Sequence, residues 1–282
     1  MTIAMACLKH FIAFFVFLTM LSWSGLVHAS LLVDLTAYWR MEEAAGTRFD
    51  SIGSNHLTDN NGVPSAAGID GLAAQFTAGN DHHLSIPDNA ALSMGDIDFT
   101  VSSWVYMDTV DAVRVFLNKG TSGSLIDTEY RLFQANAGDT FRFGVGDGVG
   151  DNTVLFSNFI PVAGAWDFVI AWHDSTAHTL NMQVNNGSIA SAPYSSGGYD
   201  SSGSFNIGRR VDDTQHWNGR VDEVGIWKRL LTVEERASLY NDPGGLFREP
   251  PSDNVVPEPS SLCLLGAGLF GMGLRRRRIF TR

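Results

Sequence analysis

Along most of this chain apolar and polar residues alternate in short runs. Ala37, Trp39 and Met41 alternate with Tyr38, Arg40 and Glu42, and Leu180, Met182 and Val184 alternate with Asn181, Gln183 and Asn185. Leu72, Ala74 and Phe76 follow the same period, as do Leu84 and Ile86. A period of two sends alternate side chains to opposite faces, so each run predicts a strand with one buried face. Residues 99–106 break the pattern: Phe99 and Val101 face one way, Trp104 and Tyr106 the other. Either both faces of that strand are covered or a bulge resets its phase. Residues 166–172 form a near-continuous apolar strand, and shorter runs at 116–120, 130–133, 141–145 and 205–210 fill the intervals. Between them lie turn signals, Gly79-Asn80-Asp81, Pro87-Asp88 and Asn186-Gly187, and a long polar loop at 43–61. A dozen or so short strands at this spacing, with almost no helix, predict an all-β fold: two antiparallel sheets packed as a jelly-roll sandwich.

The stretch from Trp217 to Tyr240 organises the rest. Alternation over 221–227 places Asp222 on the same face as Val224 and Ile226, an acid at the inner edge of a sheet. Thr232 with Glu235 three residues later forms a capping box for one short helix, and Leu231 stands where a hydrophobic staple would.

Composition agrees with a turn-rich domain holding a sizeable core: 44% of the 282 residues are hydrophobic and 29 are Gly. Cys7 and Cys263 are the only cysteines and lie in the two terminal segments, so no disulfide is expected within the domain. Lys9 and His10 precede an apolar run at 11–21 and then Val27-His28-Ala29, which predicts a signal peptide over 1–29, cleaved by signal peptidase after Ala29. At the other end, Pro257, Glu258 and Pro259 precede a Gly-rich apolar run at 262–274 and then Arg275, Arg276, Arg277 and Arg278. Thirteen helical residues would reach about 20 Å against a hydrocarbon thickness of roughly 30 Å, a marginal span. The arginines would stay cytoplasmic and leave the preceding domain outside, through transient insertion of this helix in the inner membrane. With six of the 19 basic residues in the terminal segments, 13 remain against 30 acids between Asp34 and Glu258. That surplus argues against nucleic acid as a partner and is compatible with divalent cations.

Four parts of the sequence carry two resemblances. The run Asn218-Gly219-Arg220-Val221-Asp222-Glu223-Val224-Gly225-Ile226-Trp227 with its Thr-x-x-Glu helix, residues 76–88 and the strand Phe99-Thr100-Val101-Ser102-Ser103-Trp104-Val105 together resemble laminin-G-like domains of the concanavalin A type. The Pro-Glu-Pro, apolar run and Arg cluster resemble a PEP-CTERM sorting signal. The first resemblance implies a jelly-roll domain over 30–247, followed by a linker at 248–256. The second, over 257–282, implies processing by an exosortase and delivery to the envelope, outer surface or extracellular matrix of a Gram-negative bacterium. Domains of the first type often carry a structural Ca²⁺ where the first loop meets the closing strand. The matching positions are Asp222 with Asp50 or Glu42, hard oxygen donors suited to that ion.

For a sugar-binding surface the candidates are Trp217, His216 and Tyr199 with Arg209 and Arg210, aromatic and polar groups on loops. Jelly-roll glycosidases place acids on one strand face as Glu-x-Asp-x-Glu, a run missing here, and Asp96 with Asp98 reads as a turn. His82-His83 reads as part of a surface hairpin, since adjacent strand residues diverge. These readings converge on an exported, non-catalytic module that binds polysaccharide or a surface protein. A glycan-active enzyme and a purely structural matrix component are the alternatives.

Overall fold

A computed structural model of the chain describes residues 30–135 and 140–248. The signal segment and the sorting tail lie outside the described residues, and the fold is that of the unit spanning residues 1–246. Fifteen strands follow in chain order: β1 (Leu35–Trp39), β2 (Thr58–Asn60), β3 (Ser65–Ala67), β4 (Leu72–Phe76), β5 (His83–Ile86), β6 (Phe99–Met107), β7 (Arg114–Gly120) and β8 (Thr128–Gln134), then β9 (Phe141–Gly146), β10 (Asn152–Phe156), β11 (Trp166–Asp174), β12 (Thr179–Val184), β13 (Ala190–Pro193), β14 (Phe205–Ile207) and β15 (Gly219–Trp227). The helix α1 (Val233–Asn241) closes the domain.

They form the all-β sandwich that the alternation predicts. One sheet has eight strands, in the order β13-β12-β11-β6-β15-β4-β3 with β1 also paired to β15. The other has seven, in the order β10-β9-β8-β7-β14-β5-β2, and every pairing in both sheets is antiparallel. Aromatic rings interlock between the sheets: Trp39 of β1 stacks on Phe205 of β14 at 5.2 Å, and Phe99 of β6 meets Phe143 of β9 edge-on at 6.2 Å.

β6 has both faces covered. Phe99, Val101, Val105 and Met107 join the core between the sheets, while Trp104 on the outer face is roofed by Tyr240 of α1. The capping box forms as expected: Thr232 accepts from the Glu235 amide and Glu235 from the Thr232 amide. Two local readings change. The β12–β13 turn has its positive-φ residues at Asn185 and Asn186, one place earlier than Asn186-Gly187, because the Gly187 amide closes onto the Val184 carbonyl. His82 and His83 are themselves buried, although the turn that precedes them, residues 79–81, is exposed at the surface as expected. The His82 ring accepts from the Thr77 amide, and His83 Nδ1 lies 3.0 Å from the Asp81 carbonyl.

Candidate functional site

β15 changes neighbours halfway along. Residues 219–221 pair with β4 on one edge, and residues 224–227 pair with β1 on that same side. Asp222 and Glu223 occupy the changeover. On the opposite edge, the pairing with β6 shifts register between Asp222 and Gly225, and Glu223 has φ of 47°. This is a bulge, and it corrects the expectation that Asp222 shares a face with Val224 and Ile226. Val221, Val224 and Ile226 all enter the core, whereas Asp222 stands opposite Trp104 and so takes the outer face of the sheet. An extra residue in a strand inverts the side-chain phase beyond it.

The changeover gathers four acids. One carboxylate oxygen each from Glu42, Asp70 and Glu223 lie within 4.8 Å of one another. Glu42 arrives from just beyond β1, after Met41 with φ of 59°, and Asp70 from the tight β3–β4 turn closed by the Gly68 amide on the Gly71 carbonyl. Gly71 has φ of 57°, and its missing side chain leaves room for the Glu42 carboxylate, which accepts from the Leu72 amide at 3.1 Å. Asp222, fully buried, holds this turn by accepting from the Ile69 amide and, with its other oxygen, from the Glu223 amide, both at 2.9 Å.

Charge in this cluster is undercompensated. Burial, then the adjacent Glu223, pushes the Asp222 carboxyl up to about 8 in spite of the amides it accepts from. Burial likewise lifts Glu223 to about 7, only partly offset by the Tyr38 hydroxyl and the Arg40 guanidinium, with Asp70 and Glu42 adding repulsion. Arg40 Nε stands 3.9 Å from Glu223 Oε1, and neither Glu223 oxygen has a donor in good hydrogen-bonding geometry although the residue is 1% exposed. Buried carboxylate oxygens with few donors, converging with two further carboxylates, are a donor set that suits a hard divalent cation.

Of the expected metal residues, Glu42 belongs to this set and Asp222 buttresses it. Asp50 does not belong. Its Oδ1 accepts from the Tyr38 and Ile52 amides and its Oδ2 from the Asn55 amide and side chain, all at 3.0–3.1 Å, so the carboxylate is spent on its own loop. Asp70 and Glu223 escape a reading by alternation. Their signals were a Gly-x-Asp-Gly turn at 68–71 and a Gly three residues after Asp222, where a bulge can form.

The expected sugar-binding residues come together only in part, with His216 and Arg209 meeting at Asp213. Trp217 is fully buried, edge-on to Phe116 at 5.3 Å, and cannot stack on a ligand. His216 Nε2 lies 3.6 Å from Asp81 and 3.7 Å from Asp213, and Arg209 pairs with Asp213 at 2.5 Å. Arg210 grips Asp212 through two nitrogens. Tyr199 packs beside Gly148. Asp98 accepts from the Ser175 amide and hydroxyl, a loop tie consistent with its reading as a turn residue.

Residues 78–235 match the family model of the concanavalin A-like lectin/glucanases superfamily. The chain belongs to that superfamily. This concanavalin A-like protein also matches the PEP-CTERM protein-sorting motif over residues 255–278. A search of curated proteins finds no match. Among solved structures, the domain is similar to the binding domain of Paraclostridial Mosquitocidal Protein 1, with TM-score 0.60, 15% identity, and coverage of 74% of this chain and 52% of that one. It is also similar to domain 4 of AbnA, a GH43 extracellular arabinanase from Geobacillus stearothermophilus, in complex with arabinotriose: TM-score 0.57, 16% identity, 73% of this chain and 98% of that one. A Trypanosoma rangeli sialidase matches with TM-score 0.56, 11% identity, 77% of this chain and 34% of that one. At these identities the likeness is one of fold, and the chain spans about half the length of the mosquitocidal binding domain. Among the described residues no helix is long and apolar enough to cross a membrane.

Proposed function

We propose that this concanavalin A-like protein is an exported, non-catalytic binding module that recognises carbohydrate, in the first place extracellular polysaccharide, or a surface protein. What carries the reading is the pairing in one chain of an outward-sorting motif with a sandwich that covers 98% of a domain solved with arabinotriose. The terminal segments would carry it across the inner membrane of a Gram-negative bacterium, where signal peptidase and an exosortase process it for the outer surface or matrix.

Calcium is part of this reading. Glu42, Asp70 and Glu223 would supply the carboxylates, with Asp222 holding the turn that presents Asp70. The ion would neutralise charge where β15 passes from β4 to β1. Its role is structural, fixing the first loop to the closing strand. A glycan array probed with the purified protein, with and without calcium, tests the proposal: retention of a defined glycan supports it, and no retained glycan across a broad array opposes it.

The elevated carboxyls of Asp222 and Glu223 favour a second reading, a glycan-active enzyme, since a raised acid beside another carboxylate is what glycoside hydrolysis uses. Against it, both residues are at most 1% exposed. Release of reducing ends from polysaccharide, lost in Glu223→Gln, would establish it.

A further inference from the structure

Four adjacent strands of the eight-stranded sheet, β4, β15, β6 and β11, place one residue each in a row on its outer face. Gln75 pairs with Arg220, Arg220 with Tyr106, and Tyr106 with Trp166. Their neighbours Ala74, Val221 and Val105 join the core, so the row faces away from it. The next aromatic row, Trp104 with Phe168, is roofed by Tyr240 of α1, and further on Arg236 of the same helix lies over Trp172 at 4.5 Å. The helix reaches no further, and Gln75, Arg220, Tyr106 and Trp166 are all partly exposed.

The row is held in place and its polar groups are unspent. The Arg220 guanidinium lies over the Tyr106 ring at 4.0 Å, and its Nη1 donates to the Ala67 carbonyl at 2.9 Å. Trp166 meets the Tyr106 ring edge-on, with centroids 5.5 Å apart and planes at 60°. Gly164 passes beside this corner, and a Cβ there would sit 3.8 Å from the Tyr106 hydroxyl, so the missing side chain leaves that hydroxyl open. Among the described residues nothing pairs with Trp166 Nε1, Arg220 Nη2, the Tyr106 hydroxyl or Gln75 Oε1, and none of these atoms is buried.

We propose that this row is the platform for a neutral polysaccharide, with one sugar ring stacked on Trp166 and the following units laid across Tyr106 and Arg220 toward Gln75. A partly exposed indole offers a flat apolar face to the C–H side of a pyranose. Beside it, free donors and a free acceptor match sugar hydroxyls, which both donate and accept. Three strand spacings, about 14 Å, give room for a short oligosaccharide. Side chains already fixed against one another lose little freedom on binding. Asp108, exposed and accepting from Gln75 at 3.2 Å, and the acid surplus of the domain disfavour an anionic chain. This inference rests on the carbohydrate-binding reading above and names its site and ligand class.

The test is isothermal titration of the purified protein with neutral hexasaccharides of glucan, mannan, xylan and arabinan, beside an alginate hexasaccharide as the acidic counterpart. The expected result is that at least one neutral member binds tenfold or more tightly than the acidic one. Trp166→Leu and Arg220→Gln should each weaken that binding at least fivefold, while Phe156→Ala on the other sheet leaves it unchanged. Thermal scans confirm folding, and Tyr106→Phe, which removes a single oxygen, carries the test if either larger change lowers the midpoint. No neutral member bound, tighter binding of the acidic one, or an affinity that survives in the folded variants overturns the proposal. Glycans retained on the array in that case would leave the binding reading standing, and an empty array would remove both.

Discussion

Tyr240 lies flat on Trp104, ring centroids 5.7 Å apart and planes 13° from parallel, and this stack fastens helix α1 to the central strand β6. Phe168 of β11 leans on both rings, at 5.3 Å from Trp104 and 6.2 Å from Tyr240. Such aromatic pairs contribute about 0.5–1.5 kcal/mol beyond the area they bury. Tyr240 is only partly buried, so Tyr240→Ala should destabilise the domain by about 1–3 kcal/mol. Urea unfolding followed by Trp fluorescence measures this, and an unchanged midpoint would show that the helix is held by other contacts.

The acidic changeover predicts a calcium-dependent stability. Adding Ca²⁺ to a hundredfold excess over its dissociation constant should stabilise the fold by about 2.7 kcal/mol, and a chelator should reverse the shift. Glu223→Gln removes a buried charge that Tyr38 and Arg40 only partly compensate, so without calcium the variant should unfold at a higher temperature than the parent. It should also lose most of the calcium response. Asp50→Asn should leave the response intact. A thermal scan of the three proteins with and without calcium distinguishes these outcomes.

Acid should loosen the attachment of the helix. Burial raises the Glu235 carboxyl, but the Arg229 guanidinium, the Ser30 hydroxyl and the Thr232 amide outweigh it and bring the pKa down to about 2. Because the folded value lies below that of an unfolded glutamate, about 4.3, the linked stability is fully present above that pH. It is lost as pH falls from there toward about 2. The difference in unfolding free energy between the parent and Glu235→Gln should therefore shrink when urea titrations at pH 6 are repeated at pH 2.5.

Lys119 is fully buried and its ammonium meets Glu129 and Asp88, each at 2.8 Å, and the Ser201 carbonyl at 2.5 Å. Glu129 in turn accepts from the amides of Met94 and Ser201, so the pair pins two loops to the seven-stranded sheet. Lys119→Met strands the glutamate and should cost about 3–5 kcal/mol, whereas Lys119→Met with Glu129→Gln should recover a large part of the loss. Chemical denaturation of the single and double variants closes the cycle.

Much of the architecture was legible along the chain because a strand writes its burial at a period of two. Ala37, Trp39 and Met41 go inward as their alternation says, and the capping box at Thr232 and Glu235 depends on neighbours three residues apart. The two faces of β6 were readable as well, although the residue covering Trp104 was not. The misplaced face of Asp222 has a definite cause. A bulge adds one residue on one strand only, and its position depends on the pairing with β6 and not on local composition.

What the sequence determined by itself is therefore the short-range physics: strands, helix cap, charge surplus and the C-terminal sorting motif. Tertiary structure alone decided which distant residues meet. Glu42, Asp70 and Glu223 converge because β15 exchanges β4 for β1, and Arg220, Tyr106 and Trp166 align because three strands pair in one register. Trp217, a candidate for sugar contact in the one-dimensional reading, packs inside against Phe116 of β7. Contacts across sheets and between strands far apart in the chain leave no periodicity behind, so only the folded molecule reveals them.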